Sequence, residues 1–208
     1  MKLKSRNMKT LKKLLLILTV GIFIFPAAYG QNPKSEKNTA LILIDIQEFY
    51  FPDGMLPLNN PEVASEKAGR MLQFFRQQNL PVIHIKHNAS SGAEIHKSVA
   101  PLSKEKVFTK NEANSFNGTG LHEWLQEQGI QKLVLAGMQT HMCLEATTRA
   151  AYDLGYDCTV IEDASTTRDL KYEDVIVKAK EVHASTLSTL KGTYARILTA
   201  DEYIREHR

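Results

Sequence analysis

Strand-like and helix-like signals alternate from residue 39 to the end of this 208-residue chain. That alternation predicts a single α/β domain: a six-stranded, mostly parallel sheet with helices on both faces. Two further observations agree. Several strand-like runs are continuously apolar, as parallel strands covered on both sides require. The residues able to carry chemistry fall just past the ends of those runs, where open sheets of this kind bind ligands.

The strand-like runs are Ala40–Ile44, Pro81–Ile85, Lys106–Thr109, Lys132–Ala136, Asp157–Ile161 and Tyr194–Leu198. Between them, Asn60-Pro61 reads as the N-cap and first residue of a helix. Its Ala64, Ala68, Met71 and Phe75 share one face. Leu121, Trp124 and Leu125 give a shorter face. Val175, Ala179, Val182, Thr186 and Leu190 predict the last long helix, with Gly192 as its stop signal. The one long connection, Asn88–Glu105, is expected to lie over the active end of the sheet.

The first 30 residues read as an export signal. Lys2, Lys4, Arg6, Lys9, Lys12 and Lys13 form a basic region without an acid, Leu14–Phe25 is an apolar core, and Ala28-Tyr29-Gly30 is a small-x-small cleavage site before Gln31. The apolar core is short for a membrane span. The expected organisation is therefore a signal at 1–30, a short tail at 31–38 and one domain at 39–208. The formal charge is +3, and losing six basic residues leaves 3 − 6 = −3. The basic balance thus belongs to the signal, and no basic face argues for nucleic acid. No stable membrane association is expected once the signal is removed.

The stretch LAGMQTHMCLEATTR, Leu135–Arg149, concentrates the chemistry. An apolar run ends at Gly137, a tight turn follows, and Cys143 opens a segment of helical character. A thiol at a helix N-terminus is expected to favour thiolate. Asp45, ending ALILID, and Lys110, ending KVFTK, fit as its partners. An acid, an amine and a thiol, each just past a buried strand, point to a nucleophilic hydrolase. Cys158 begins the strand after the Cys143 helix has run back. Roughly 10 helical residues separate the two by about 15 Å, too far for a disulfide, so Cys158 is expected to be a buried apolar residue.

Three segments in this order resemble the isochorismatase-like cysteine hydrolases, the family of nicotinamidases and N-carbamoylsarcosine amidase. They are LILIDIQEFY with Asp45 and Gln47, KNEANSFNGTGL with Lys110, Ser115, Phe116, Gly118 and Thr119, and GMQTHMCLEATTRAA with Cys143, Thr148 and Arg149. The resemblance covers about Thr39 to Ile204. It implies that Asp45, Lys110 and Cys143 are catalytic, with Asp45 taking the thiol proton and Lys110 holding Asp45 and favouring the thiolate. It further implies an oxyanion hole from the backbone N–H groups of Gln139 and Cys143, and a cis peptide bond between Met138 and Gln139. Gln47, Phe51, His87 and Phe116 are candidates for the substrate pocket, with core packing or surface roles as the alternatives.

Nicotinamidases of that family carry a metal on an Asp-x-His pair and a further histidine. Here the region reads VIHIKHNASS, without the pair. His84 and His87 are three apart on a strand and point to opposite faces, and His96 shows no evident partner. No metal and no other cofactor is expected. The resemblance implies a small-molecule substrate and a homo-oligomer. Because Cys143 is present, the leading reading is hydrolysis of a C–N bond in a small amide, carbamoyl or ureide compound through a thioacyl enzyme. The alternatives are isochorismatase-type vinyl-ether hydrolysis, which needs no thiol, and a non-catalytic or redox-responsive thiol pocket.

Overall fold

A computed structural model describes residues 36–208. The expected export signal lies outside the described residues. In chain order the elements are β1 Thr39–Ile44, α1 Pro61–Gln77, β2 Val82–His87, β3 Lys106–Lys110, α2 Leu121–Glu127, β4 Lys132–Met138, α3 Glu145–Asp153, β5 Asp157–Thr166, β6 Leu170–Tyr172, β7 Val175–Val177, α4 Ala179–Leu190, β8 Arg196–Leu198 and α5 Ala200–Glu206. Six strands form one sheet in the order β3-β2-β1-β4-β5-β8, every pairing parallel.

All six residues of β1 are buried, which explains its uninterrupted apolar sequence. Leu41 and Leu43 face a core layer shared with Ala68, Met71 and Phe75 of α1 and Tyr203 of α5. Ala40, Ile42 and Ile44 face the opposite layer, with Leu121 and Leu125 of α2, Ala151 of α3 and Leu187 of α4. The helices thus cover both faces, as the sequence predicts.

The strand order reverses at β1. The chain first builds outward through β2 and β3, then returns to build β4, β5 and β8 on the other side. A crevice opens at the carboxyl ends of β1 and β4, the position where doubly wound sheets place their ligands. Gly137 lets the two strands close there. Its φ is +135°, and a Cβ on it would stand 2.0 Å from the Ile44 carbonyl oxygen. Only glycine fits that approach.

Four sequence expectations need correction. Val175 is not in the last helix. It opens β7, which pairs antiparallel with β6 in a separate hairpin, and α4 starts at Ala179. A valine at the helical spacing mimicked one more turn, but Val175–Val177 is β-branched throughout and strand-prone. Asn60 adopts a left-handed backbone (φ 48°) and makes no side-chain cap. Its amide donates to Asn59 Oδ1 instead, so Pro61 alone marks the start of α1. The last sheet strand is only Arg196–Leu198, because Tyr194 and Ala195 close the turn after α4 through bonds to the Leu190 carbonyl. Finally, α5 was not foreseen. Thr199 and Glu202 form its capping box, visible in the sequence but attached to a short helix.

Candidate active site

Asp45, Lys110 and Cys143 come together at the crevice. Lys110 Nζ lies 2.8 Å from Asp45 Oδ2 and 3.2 Å from Cys143 Sγ. The same ammonium meets the Glu112 carbonyl at 2.9 Å and His87 Nδ1 at 3.3 Å. The lysine and aspartate side chains are both fully buried, an environment that a cation tolerates only when its partners are this close. Apart from the Lys110 ammonium, the Asp45 oxygens have no hydrogen-bond partner among the described residues, which leaves the carboxylate open to a proton from another source.

Local structure explains the convergence. Asp45 leaves β1 with a left-handed φ of 51°, and Lys110 is the last residue of β3, aligned with His87 at the end of β2. Cys143 sits in a five-residue π-turn, Thr140–Leu144, that leads into α3. Two contacts brace that turn. Thr140 Oγ1 meets His183 Nδ1 of α4 at 2.8 Å, and His141 Nδ1 meets Thr167 Oγ1 at 2.6 Å. The segment after Lys110 is fastened to α3 by Ser115, whose N–H and hydroxyl both reach Thr147 Oγ1, at 3.1 and 2.8 Å. The Met138–Gln139 peptide bond is cis.

The electrostatics of the thiol combine opposing effects. Burial, and after it the Asp45 charge, pushes the Cys143 thiol up to about 12, and the Lys110 ammonium only partly offsets this. Desolvation and the Asp45 charge thus oppose the thiolate that Lys110 favours. Burial also pushes the Asp45 carboxyl up, with Lys110 acting in the opposite direction. Burial therefore raises the proton affinity of both the thiol and the carboxyl.

The pocket candidates divide. His87 joins the cluster through Lys110. Gln47 is completely buried, and backbone groups use both of its donors and its oxygen: Nε2 donates to the His87 carbonyl at 3.0 Å and the Ala93 carbonyl at 2.7 Å, and Oε1 accepts from the His87 N–H at 2.7 Å. It positions His87 and pins the 88–105 connection. Phe51 stacks on His96 with ring centroids 3.7 Å apart, so His96 has a partner after all, and its Nδ1 also meets Ser98 Oγ at 2.7 Å. Phe116 stacks on Tyr156 and packs against the α2–α3 side of the core. Cys158 is free and buried, as its sequence position predicts.

Two polar residues near the site were not singled out from the sequence. Tyr50, five residues past Asp45 in LILIDIQEFY, is buried within electrostatic range of Cys143, Asp45 and Arg168. It accepts a bond from Gln139 Nε2 at 3.4 Å. Gln139 Oε1 and Arg168 Nε are buried without a hydrogen-bond partner among the described residues. An aromatic near a strand end reads as core, and an arginine beyond β5 reads as surface. Only coordinates bring Tyr50 to Gln139 and Arg168 within electrostatic range of the phenol. Among the described residues, no three histidine, cysteine or acidic side chains form a group able to hold a metal ion.

A fully buried lysine bridging a carboxylate and a thiol at the switch point of a parallel sheet defines a cysteine-hydrolase type of site. Comparison places it more narrowly. The isochorismatase domain model matches residues 39–202, and the chain belongs to the isochorismatase family of hydrolases. An uncharacterised isochorismatase-family protein of Bacillus subtilis, YddQ, is 43% identical over 80% of this chain and 99% of its own. The secreted isochorismatase effector Isc1 of Verticillium dahliae is 33% identical over 81% and 94%. Among solved structures, a protein assigned to the isochorismatase hydrolases of Oleispira antarctica superposes with a TM-score of 0.79 at 44% identity, covering 82% of this chain and 97% of that one.

Proposed function

We propose that this hydrolase cleaves a C–N bond in a small amide, carbamoyl or ureide compound through a thioacyl enzyme, and that it acts after export. The observation carrying this reading is the Lys110 ammonium held 2.8 Å from Asp45 and 3.2 Å from Cys143. As substrate fills the crevice, Asp45 takes the thiol proton and Cys143 Sγ bonds to the carbonyl carbon. The oxygen becomes an oxyanion, which the N–H groups of Gln139 and Cys143 stabilise. Collapse expels the amine, with Asp45 returning the proton to its nitrogen. Water then gives Asp45 a proton and the thioester carbon a hydroxyl, releasing the acid and restoring the thiol. Lys110 keeps its charge throughout and compensates the negative charge passing between Asp45 and sulfur.

A relative in Pseudomonas putida, 27% identical over 88% of this chain and 93% of its own, is a maleamate amidohydrolase, which supports amide chemistry. The basic, apolar and small-residue pattern of residues 1–30 supports export. The test is ammonia release from a panel of small amides, carbamoyl compounds and ureides, with Cys143→Ala alongside. The reading predicts release that the variant abolishes. No release across the panel, or release indifferent to the substitution, would count against it. Pyruvate released from isochorismate and surviving Cys143→Ala would favour vinyl-ether hydrolysis instead.

A further inference from the structure

The β6–β7 hairpin lies outside the main sheet and presents large apolar side chains to solvent. Tyr172 is 74% exposed, Val175 60% and Ile176 58%. The hairpin pairs Leu170 with Val177, Lys171 with Ile176 and Tyr172 with Val175. Among the described residues no third strand joins it, and no other backbone hydrogen bond reaches residues 170–177. Both edges therefore carry unpaired N–H and C=O groups. Such edges are ordinarily blunted by a charge, a proline or a bulge. β6 has Lys171 at its centre, whereas β7 is Val175, Ile176 and Val177, with none of these devices. A ribbon of two such short strands is also marginal by itself.

Symmetry and charge identify what fits the open edge of β7. In an antiparallel pair built on a two-fold axis, facing residues share a face of the sheet, so the axis passes through a residue. Only an axis through the middle residue keeps all three residues of a strand paired. On β7 that residue is Ile176. Val175 then faces the partner's Val177, and Asp174 faces the partner's Lys178, an opposite charge on extended backbone. Lys178 already meets Asp169 of its own chain at 2.9 Å, so it would lie between two carboxylates. On β6 the middle residue is Lys171, which would face itself, and like charges directly opposite destabilise a pair.

Pairing through Ile176 also extends one apolar face. Leu170, Tyr172, Val175 and Val177 point to the same side of the hairpin. Leu170 and Val177 are half-buried, while Tyr172 and Val175 are open. The second copy lays its Val177 beside Val175, so the apolar rows continue across four strands, and the two Ile176 side chains meet on the other face. We propose that two copies of this chain associate through β7, forming a four-stranded antiparallel sheet about a two-fold axis at Ile176. The association is independent of the hydrolase reading, since none of Asp45, Lys110 and Cys143 takes part.

A cross-link tests the geometry. Facing residues of an antiparallel pair have Cα atoms about 4.5–5.5 Å apart, within the span of a disulfide. Ile176→Cys should therefore convert most of the protein to a covalent dimer under mild oxidation. Wild type should form none, because Cys143 and Cys158 are buried. Lys171→Cys lies three strand spacings, about 14 Å, from its symmetry mate and should give a small fraction of that yield. In sedimentation, Ile176→Lys should raise the dissociation constant of the dimer roughly tenfold, by exchanging an apolar contact for two facing charges. Its exposed position should leave the urea midpoint of folding unchanged. Wild type that stays monomeric at every concentration, leaving β7 to an extended peptide of another protein, would overturn the proposal. Cross-linking at Lys171→Cys equal to that at Ile176→Cys, no cross-link at Ile176→Cys, or an assembly indifferent to Ile176→Lys would do the same.

Discussion

Lys110 Nζ stands 3.2 Å from Cys143 Sγ, and this contact, made without solvent, sets the chemistry of the thiol. The ammonium has three protons and four acceptors around it: Asp45 Oδ2, Cys143 Sγ, the Glu112 carbonyl and His87 Nδ1. One acceptor is always under-served. A growing charge on sulfur or on Asp45 can therefore draw the ammonium's protons without any side chain moving far, which suits a site where negative charge must pass between those two groups.

Thiol reactivity follows from the same geometry. With Cys143 pushed up to about 12 by burial and the Asp45 charge, the free protein should alkylate with iodoacetamide more slowly than a simple thiol at pH 8, and the rate should still be climbing at pH 10. Lys110→Met removes the group that lowers the thiol's pKa, so alkylation should slow further, by about tenfold. A rate already on its plateau at pH 7 would show that the resting form is a thiolate.

Removing the base tests the proton route. Asp45→Asn keeps the shape of the side chain but cannot take the thiol proton or protonate the leaving nitrogen. Turnover of the best amide should fall by roughly 10²–10⁴, while Cys143→Ala abolishes it. Single-turnover kinetics with mass measurement of the acyl adduct locate the loss. The Asp45→Asn protein should accumulate less adduct than wild type, and an undiminished adduct would assign Asp45 to a later step.

Much of the fold and of the triad could be read from the sequence because both depend on local signals. Uninterrupted apolar runs mark the buried parallel strands, and Asp45, Lys110 and Cys143 follow strand ends that topology gathers on one side. What failed was set by tertiary context. Val175 satisfied a helical spacing yet pairs with Tyr172 in a hairpin. The burial that opposes ionisation of Cys143 is likewise displayed by no residue pattern. Gln47 stood open between pocket lining and a packing or surface role, because the partners that decide it, His87 and Ala93, are 40 and 46 residues away.

Gln47 gives a stability prediction. Its amide supplies two donors and one acceptor to backbone groups in a fully buried position. Gln47→Leu has similar volume but leaves the His87 carbonyl, the His87 N–H and the Ala93 carbonyl short of a partner. At about 1–3 kcal/mol per orphaned group, partly relieved by water reaching the loop, the loss should be about 3 kcal/mol in urea unfolding. His87 should lose its placement against Lys110, so turnover should fall as well. A variant as stable as wild type would mean that the 88–105 connection is held by its other contacts, such as the His96 N–H to the Ile46 carbonyl.

Acid sensitivity should centre on Glu105, at the far end of β2 and β3 from the thiol. Burial alone would raise this carboxyl, but the Arg76 guanidinium, the Leu102 N–H and His84 together hold it at about 2, against an ordinary 4.5. Arg76 is bidentate at 2.7 Å to both oxygens, and His84 Nε2 stands 3.0 Å away. Because the folded value lies below the unfolded one, the unfolded chain binds the extra proton first as pH falls. The stabilisation is complete above about pH 5 and drains away between about 4.5 and 2, amounting to roughly 3 kcal/mol if the whole shift is realised. Urea midpoints measured from pH 7 to pH 2.5 should therefore slope downward below pH 4.5 in wild type. Glu105→Gln should be less stable at pH 7 and should lose that part of the slope, since the amide cannot ionise. Parallel curves for the two proteins would place the acid transition on other carboxylates, with Asp201, held at about 2 by Arg70 and Lys67 on the exposed face of α1, the next to replace.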